Sequence, residues 1–72
     1  MSDAVSKQDR ELAEAGYPEA LRTSQVCRAL GVHQQTVLKL VREGTLSAFR
    51  LNAQIRVRRH DLAHFLVVSR VR

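Results

Sequence analysis

Apolar residues recur along this chain at two different spacings. From Thr23 to Gly44 they lie three or four residues apart, which is the spacing of one face of a helix. Across residues 46–58 the spacing changes to two, the period of a strand, and across residues 59–68 the helical spacing returns. Thr23 or Ser24 is suited to cap the first helix, and Gly44 is a typical residue at which to end a later one. The pattern therefore predicts two helices, a two-stranded ribbon and a further helix.

The first two helices are joined by a tight turn. Cys27 is a small hydrophobe where two helices must cross closely, and Gly31 can adopt a positive φ where the chain must turn. Val37 is placed to pack the second helix, predicted over Gln34–Glu43, back onto the first. His33 occupies the position before that helix, where Ser or Asn is the usual cap. This spacing is typical of a helix-turn-helix.

The ribbon is predicted to have an apolar face and an arginine face. With Asn52, Ala53 and Gln54 as a three-residue loop, strict alternation gives a face packed on the helices, made by Phe49, Leu51, Ile55 and Val57. Arg50, Arg56 and Arg58 then lie on the outside. The last helix buries Leu62, Phe65 and Leu66 and has Asp61 in its first turn, where the helix dipole favours an acid.

The N-terminal residues differ in character from the rest. Ser6 to Ala15 can form a helix, but Val5, Leu12 and several alanines make a poor apolar face, so we expect a flexible or loosely docked leader. Tyr17-Pro18 interrupts any helix. We therefore expect an acidic leader over 1–20, a folded domain over 21–68 and a basic tail over 69–72.

Charge separates the same two parts. Residues 1–20 contain five acids and two bases, net −3, whereas residues 21–72 contain ten bases and two acids, net +8. A small domain with this excess is expected to bind a polyanion, most commonly nucleic acid. A basic protein-interaction module that binds an acidic protein is the alternative from another class.

Other functions have little support in the sequence. There is one Cys and no Ser–His–acid set or Gly-rich phosphate loop, so we expect no enzyme activity. His60 and His64 are four residues apart but have no further ligand at a suitable spacing, so we expect no metal, cofactor or small-molecule ligand. No apolar run reaches 18 residues and no signal peptide is apparent, so we expect a soluble cytoplasmic protein without a membrane partner.

Residues 21–66 resemble the excisionase-type branch of the MerR-like DNA-binding proteins. The resemblance is carried by Gly31-Val32, Thr36-Val37, Arg42 to Gly44, Ala48 to Arg50, and Ile55 to Leu66. It implies a mainly α winged helix-turn-helix fold. It also implies an excisionase, a recombination directionality factor of a phage or integrative element in a bacterial host. Such a protein binds double-stranded attachment-site DNA cooperatively, as copies arranged head-to-tail, bends it, and directs a partner integrase toward excision. A small MerR-like transcriptional regulator is the alternative.

Two groups of residues are the candidates for DNA contact. Gln can pair with adenine edges in the major groove, and helices of this kind present their N-terminal end to the bases. The predicted recognition-helix residues are Gln34, Gln35, Thr36, Leu38, Lys39 and Arg42. The predicted wing residues, placed over the DNA backbone or in a minor groove, are Arg50, Asn52, Gln54, Arg56 and Arg58. A solvated helix face and a sheet edge protected by charge are the structural alternatives.

Overall fold

The computed structural model of the protein describes residues 3–69. Its elements in chain order are α1 (Asp3–Glu14), β1 (Ala20–Arg22), α2 (Thr23–Leu30), α3 (Gln34–Arg42), β2 (Phe49–Leu51), β3 (Gln54–Arg58) and α4 (Arg59–Ser69). Helices α2 and α3 form the helix-turn-helix, and the β2–β3 hairpin forms the wing. The predicted fold class, mainly α with a small wing, is confirmed. Of the expected basic tail, Ser69 is the last residue of α4, and residues 70–72 lie outside the described part of the chain.

The sheet has one strand more than the sequence predicted. Its order is β1-β3-β2, and both pairings are antiparallel. Leu21 of β1 lies opposite Val57 of β3, and both side chains are fully buried. Strand β1 spans three residues, which is too short for a periodic pattern to show. This pairing joins the start of the helix-turn-helix to the base of the hairpin.

The hairpin register differs from the predicted one. Gln54 pairs with Leu51, so the loop is only Asn52-Ala53, and both loop residues are in the left-handed region with φ of 53° and 67°. Positive φ at both central residues is the requirement of a type I′ turn. The prediction of Gln54 as a loop residue is therefore wrong.

This shift of one residue changes which side chains share a face. Phe49 lies opposite Arg56 and Arg50 lies opposite Ile55. Phe49 and Leu51 are therefore on the same face as Arg56 and Arg58, while Arg50 shares the other face with Ile55 and Val57. The predicted division into one apolar face and one arginine face is therefore wrong. A three-residue loop would place the apolar residues of β2 and β3 on the same face, whereas the observed two-residue loop places the apolar residues of β2 on the same face as the arginines of β3.

The core lies between the sheet and the helices. Six large side chains are fully or almost fully buried, and each helix of the helix-turn-helix supplies one of them: Leu21, Val26, Val37, Leu46, Val57 and Leu62. Cys27, Leu30, Leu40 and Val41 pack against this cluster while remaining partly exposed. Cys27, which the sequence places where the two helices cross, is half-buried. Burial of Val26 and Val37 holds α2 and α3 together, and the packing predicted for Val37 is confirmed.

Helix α1 is packed into this core. Val5 and Leu12 are only 5% and 7% exposed, and α1 lies against α4. These two residues are seven apart and so fall on one face of the helix. The expectation of a poor apolar face and a loosely docked leader is therefore wrong for residues 3–14. The helix also begins at Asp3, three residues before the predicted start.

Caps and turns set the limits of the two central helices. The amide of Arg22 donates to Oε1 of Gln25 at 2.8 Å, so neither Thr23 nor Ser24 is the cap, and that prediction is wrong. Gly31 has the predicted positive φ, 70°, and its amide donates to the carbonyl oxygen of Cys27. His33 precedes α3, and its side chain makes no capping hydrogen bond.

Candidate nucleic-acid interface

A cleft of about 490 Å³ separates the hairpin from the helix-turn-helix. One wall is formed by the end of β1 and the start of α2, and another by the first turns of α3. The hairpin forms the remaining wall. The lining residues are Arg22, Thr23, Ser24, Gln34, Leu38, Arg50, Ala53, Gln54, Ile55 and Arg56.

The cleft exists because the strands differ in length. Strand β1 ends at Arg22, which lies opposite Arg56 of β3, whereas β3 extends two residues further toward the hairpin tip. The backbone edge of Gln54 and Ile55 is therefore left without a β1 partner. Helix α2 starts directly after Arg22, so its N-terminus faces the open edge. The N-terminus of a helix carries partial positive charge, which favours an anion nearby.

The predicted recognition-helix residues lie on the solvent side of α3, with one exception. Gln34, Gln35, Thr36, Lys39 and Arg42 are exposed, whereas Leu38 is half-buried. Gln34 and Leu38 are one turn apart and both face the cleft. Val37, which is fully buried, anchors the opposite side of the helix. Leu38 is thus a packing residue of the cleft wall rather than a fully exposed contact.

The wing residues are divided between two locations. Arg50, Gln54 and Arg56 line the cleft, and Nη1 of Arg50 donates to the carbonyl oxygen of Ala53 across the turn at 3.4 Å. Asn52 is exposed at the tip of the hairpin. Arg58 lies outside the cleft, with its guanidinium carbon 4.5 Å from the centre of the Phe49 ring, a cation–π distance.

The charged side chains that line the cleft are all positive. Arg22, Arg50 and Arg56 are among its lining residues, and no carboxylate is. Within residues 3–69 the single ion pair, between Arg59 and Asp9, is formed at the α1–α4 contact. The three cleft arginines are therefore free of carboxylate partners in this part of the chain, which suits a phosphate backbone.

Five of the residues that line the cleft are not among the DNA contacts predicted from the sequence: Arg22, Thr23, Ser24, Ala53 and Ile55. The sequence predicts no role for Arg22 and only a capping role for Thr23 or Ser24. Arg22 directly precedes α2, and the hydroxyl groups of Thr23 and Ser24 lie in its first turn. This arrangement at a helix N-terminus is typical of an anion-binding site. The sequence does not show that these residues lie beside the hairpin, because that position depends on the pairing of β1 with β3.

Two other expectations concern metals and membranes. His60 and His64 are both exposed on α4, and residues 3–69 contain no group of three or more side chains able to hold a metal ion. Among the helices of this part of the chain, none is long and apolar enough to cross a membrane.

The fold and the basic cleft define a winged helix-turn-helix of the kind that binds DNA. Residues 20–66 match the family model described as a helix-turn-helix domain, and the chain belongs to this family. Searches of the curated proteins and of the solved structures found no match. Family membership supports sequence-specific binding of double-stranded DNA by a DNA-associated protein. The matched range begins at β1 and ends within α4, so α1 lies outside it.

Proposed function

We propose that the protein is an excisionase that binds adjacent sites in attachment DNA, bends that DNA and directs a partner integrase toward excision. The observation that carries the proposal is the basic cleft shared by the recognition helix and the hairpin. The family to which the chain belongs includes excisionase-like proteins, which supports this function.

In the proposed complex, the exposed N-terminal end of α3 enters the major groove. Gln34 and Gln35 present amides that can pair with adenine, and Thr36 and Lys39 follow on the exposed surface. Arg42, a further turn along, meets phosphate. The buried contacts of Val37 fix the orientation of this surface relative to the hairpin.

The cleft receives the phosphate backbone between the two grooves. Arg22 approaches from the helix-turn-helix side, and Arg50 and Arg56 approach from the hairpin. Because each neutralised phosphate releases counterions, binding through this cleft depends steeply on salt. The hairpin tip, with Asn52 and Gln54, then lies at the adjacent minor groove.

Assembly of several copies head-to-tail rests on the distribution of charge. The exposed surface of α1 carries three acids, Asp3, Glu11 and Glu14, beside two bases, Lys7 and Arg10, whereas the hairpin surface carries arginines. Copies placed side by side on one face of DNA can bring the exposed carboxylates of α1 in one molecule to the basic hairpin of the next. Contacts of this kind are weak individually and sensitive to salt.

Footprinting on the DNA that flanks the protein's own gene tests this function. An excisionase protects several segments in phase with the helical repeat, and the same fragment recombines to the excised form when the neighbouring integrase is added. One protected segment at a promoter, with no effect on excision, would instead identify a transcriptional regulator. Binding to an acidic polypeptide but not to DNA would identify a protein-interaction module.

A further inference from the structure

The hairpin tip carries an apolar side chain that the cleft does not use. Leu51 is 44% exposed, and among residues 3–69 only Val68 is another exposed large hydrophobic residue. Leu51 is the last residue of β2 and pairs with Gln54 across the two-residue turn. It is absent from the lining of the cleft.

The backbone beside Leu51 forms a tight two-residue turn. Asn52 and Ala53 both adopt positive φ, which closes the turn in the fewest residues and leaves Leu51 directly beside the tip. The guanidinium of Arg50 bonds to the carbonyl of Ala53 and so connects the two sides of the turn. This hydrogen bond across the turn helps to hold the Leu51 side chain in place when it contacts a partner.

Arginines flank Leu51 on both faces of the hairpin. Arg50 precedes it and points to the face that also carries Ile55, whereas Arg56 is diagonal to it on its own face. Guanidinium groups are drawn to the negative potential of a narrow minor groove. In a complex in which Arg50 and Arg56 contact the backbone along the minor groove, the Leu51 side chain lies close to both arginines and at that groove.

We propose that Leu51 is a wedge that enters the minor groove and partly unstacks one base step, so that the hairpin bends the DNA it binds. Apolar side chains that insert in this way partly unstack the step and kink the duplex toward the major groove by about 20–90°. The role of Leu51 rests on the proposed function, in which the protein bends attachment DNA. The wedge proposal adds to that function the residue that causes the bend, Leu51, and the way in which it does so, by insertion between base pairs.

The energetics distinguish a wedge from an ordinary contact. Unstacking a step costs a few kcal/mol and is least costly at flexible pyrimidine–purine steps. Removal of the Leu51 side chain therefore removes both the free-energy cost of unstacking and the DNA bend. The affinity for DNA then changes much less than the bend angle does. The phosphate contacts of Arg50 and Arg56 stay in place, and the salt dependence of binding is unchanged.

The test compares Leu51→Ala with Val68→Ala on one binding site. Bend angle is measured by energy transfer between dyes at the two ends of the DNA, and base unstacking by 2-aminopurine fluorescence at each step under the hairpin. Circular dichroism shows that each variant is folded, which exposure of both residues favours. We expect Leu51→Ala to lose at least half of the bend and the fluorescence increase, with less than a threefold change in Kd. Leu51→Phe should retain both signals, and Val68→Ala should match the wild type.

Two results would overturn the wedge, and they separate it from the proposed function. If the wild type bends DNA and Leu51→Ala bends it equally without change in 2-aminopurine fluorescence, the bend has another origin and only the role of Leu51 is wrong. If the wild type binds its site without bending it, the proposed bending and the wedge both fail.

Discussion

The guanidinium of Arg59 bonds to the carboxylate of Asp9, with Nε and Oδ1 2.7 Å apart, and thereby ties the first turn of α4 to the middle of α1. The same guanidinium donates to the carbonyl oxygen of Tyr17, and the Arg59 amide donates to the carbonyl oxygen of Glu19. One residue therefore fixes α1, the segment after it and the start of α4. The helix outside the family match is in this way an integral part of the fold.

Truncation of the apolar face of α1 should destabilise the whole protein. Leu12→Ala removes a side chain that is 7% exposed in the core, and we expect it to lower the free energy of unfolding by about 2–4 kcal/mol. Glu11→Ala, one residue away and exposed, is the matched control and should change it by less than about 0.5 kcal/mol. Urea unfolding measures both variants. Equal stability of the two would show that α1 is not packed on α4 in solution.

The hairpin turn should be improved by glycine. Ala53 has a φ of 67°, which costs a residue with a side chain about 1–2 kcal/mol relative to glycine. Ala53→Gly creates the Asn-Gly pair that type I′ turns prefer, and we expect a gain of about 1 kcal/mol in the free energy of unfolding. Ala48→Gly is the control, because Ala48 is exposed and is not among the positive-φ residues, so glycine there should slightly destabilise. If Ala53→Gly also destabilised the protein, the two-residue loop would be wrong.

The sequence predicted the helix-turn-helix because its signals are local. Gly31 and the spacing of Val26 and Val37 are each explained by their own neighbourhood in the chain. The hairpin register was not predictable in the same way. Ala53 carries none of the glycine signal that marks a two-residue turn, so nothing local decides whether Gln54 belongs to the loop or the strand.

The remaining differences arise from contacts between distant segments. The three-residue strand β1 is recognisable only through its pairing with β3, and Val5 and Leu12 form a useful apolar face only because α4 offers a surface to cover. The residues of the candidate site likewise divide into those predictable from local sequence and those that depend on contacts between distant segments. The exposed glutamines of α3 were predictable from position, whereas Arg22 became a cleft residue only through the pairing of Arg22 with Arg56.

The arginines of the hairpin should contribute unequally to DNA binding. Arg50→Ala and Arg56→Ala each remove a guanidinium from the cleft. We expect each to weaken binding to all sequences and to reduce the slope of log K against log salt by about one unit. Arg58, which lies over the Phe49 ring outside the cleft, provides a charge-matched control, and Arg58→Ala should change the slope less. If the double variant of Arg50 and Arg56 kept the wild-type slope of log K against log salt, the hairpin would not contact phosphate through these residues.

Base reading should depend on the first turn of α3. Gln35 is exposed in that turn, and Gln35→Ala should relax the preference at one or two base positions, at a cost of about 1–3 kcal/mol on the best site. Selection of binding sites from random DNA measures this preference. Arg42→Ala should instead weaken all sites alike. An unchanged preference would exclude Gln35 from base reading and direct the same test to Gln34.

Cooperative binding on DNA with three adjacent sites tests the central claim most directly. Gel shifts compare one site, three sites spaced by one helical turn, and three sites with about five extra base pairs in each spacer, which moves neighbouring copies to opposite faces of the duplex. We predict weak binding to one site, cooperative binding to the in-phase array, and loss of cooperativity when the phase is shifted by half a turn. Equal, independent binding to every site in both arrays would contradict an excisionase that assembles head-to-tail along DNA.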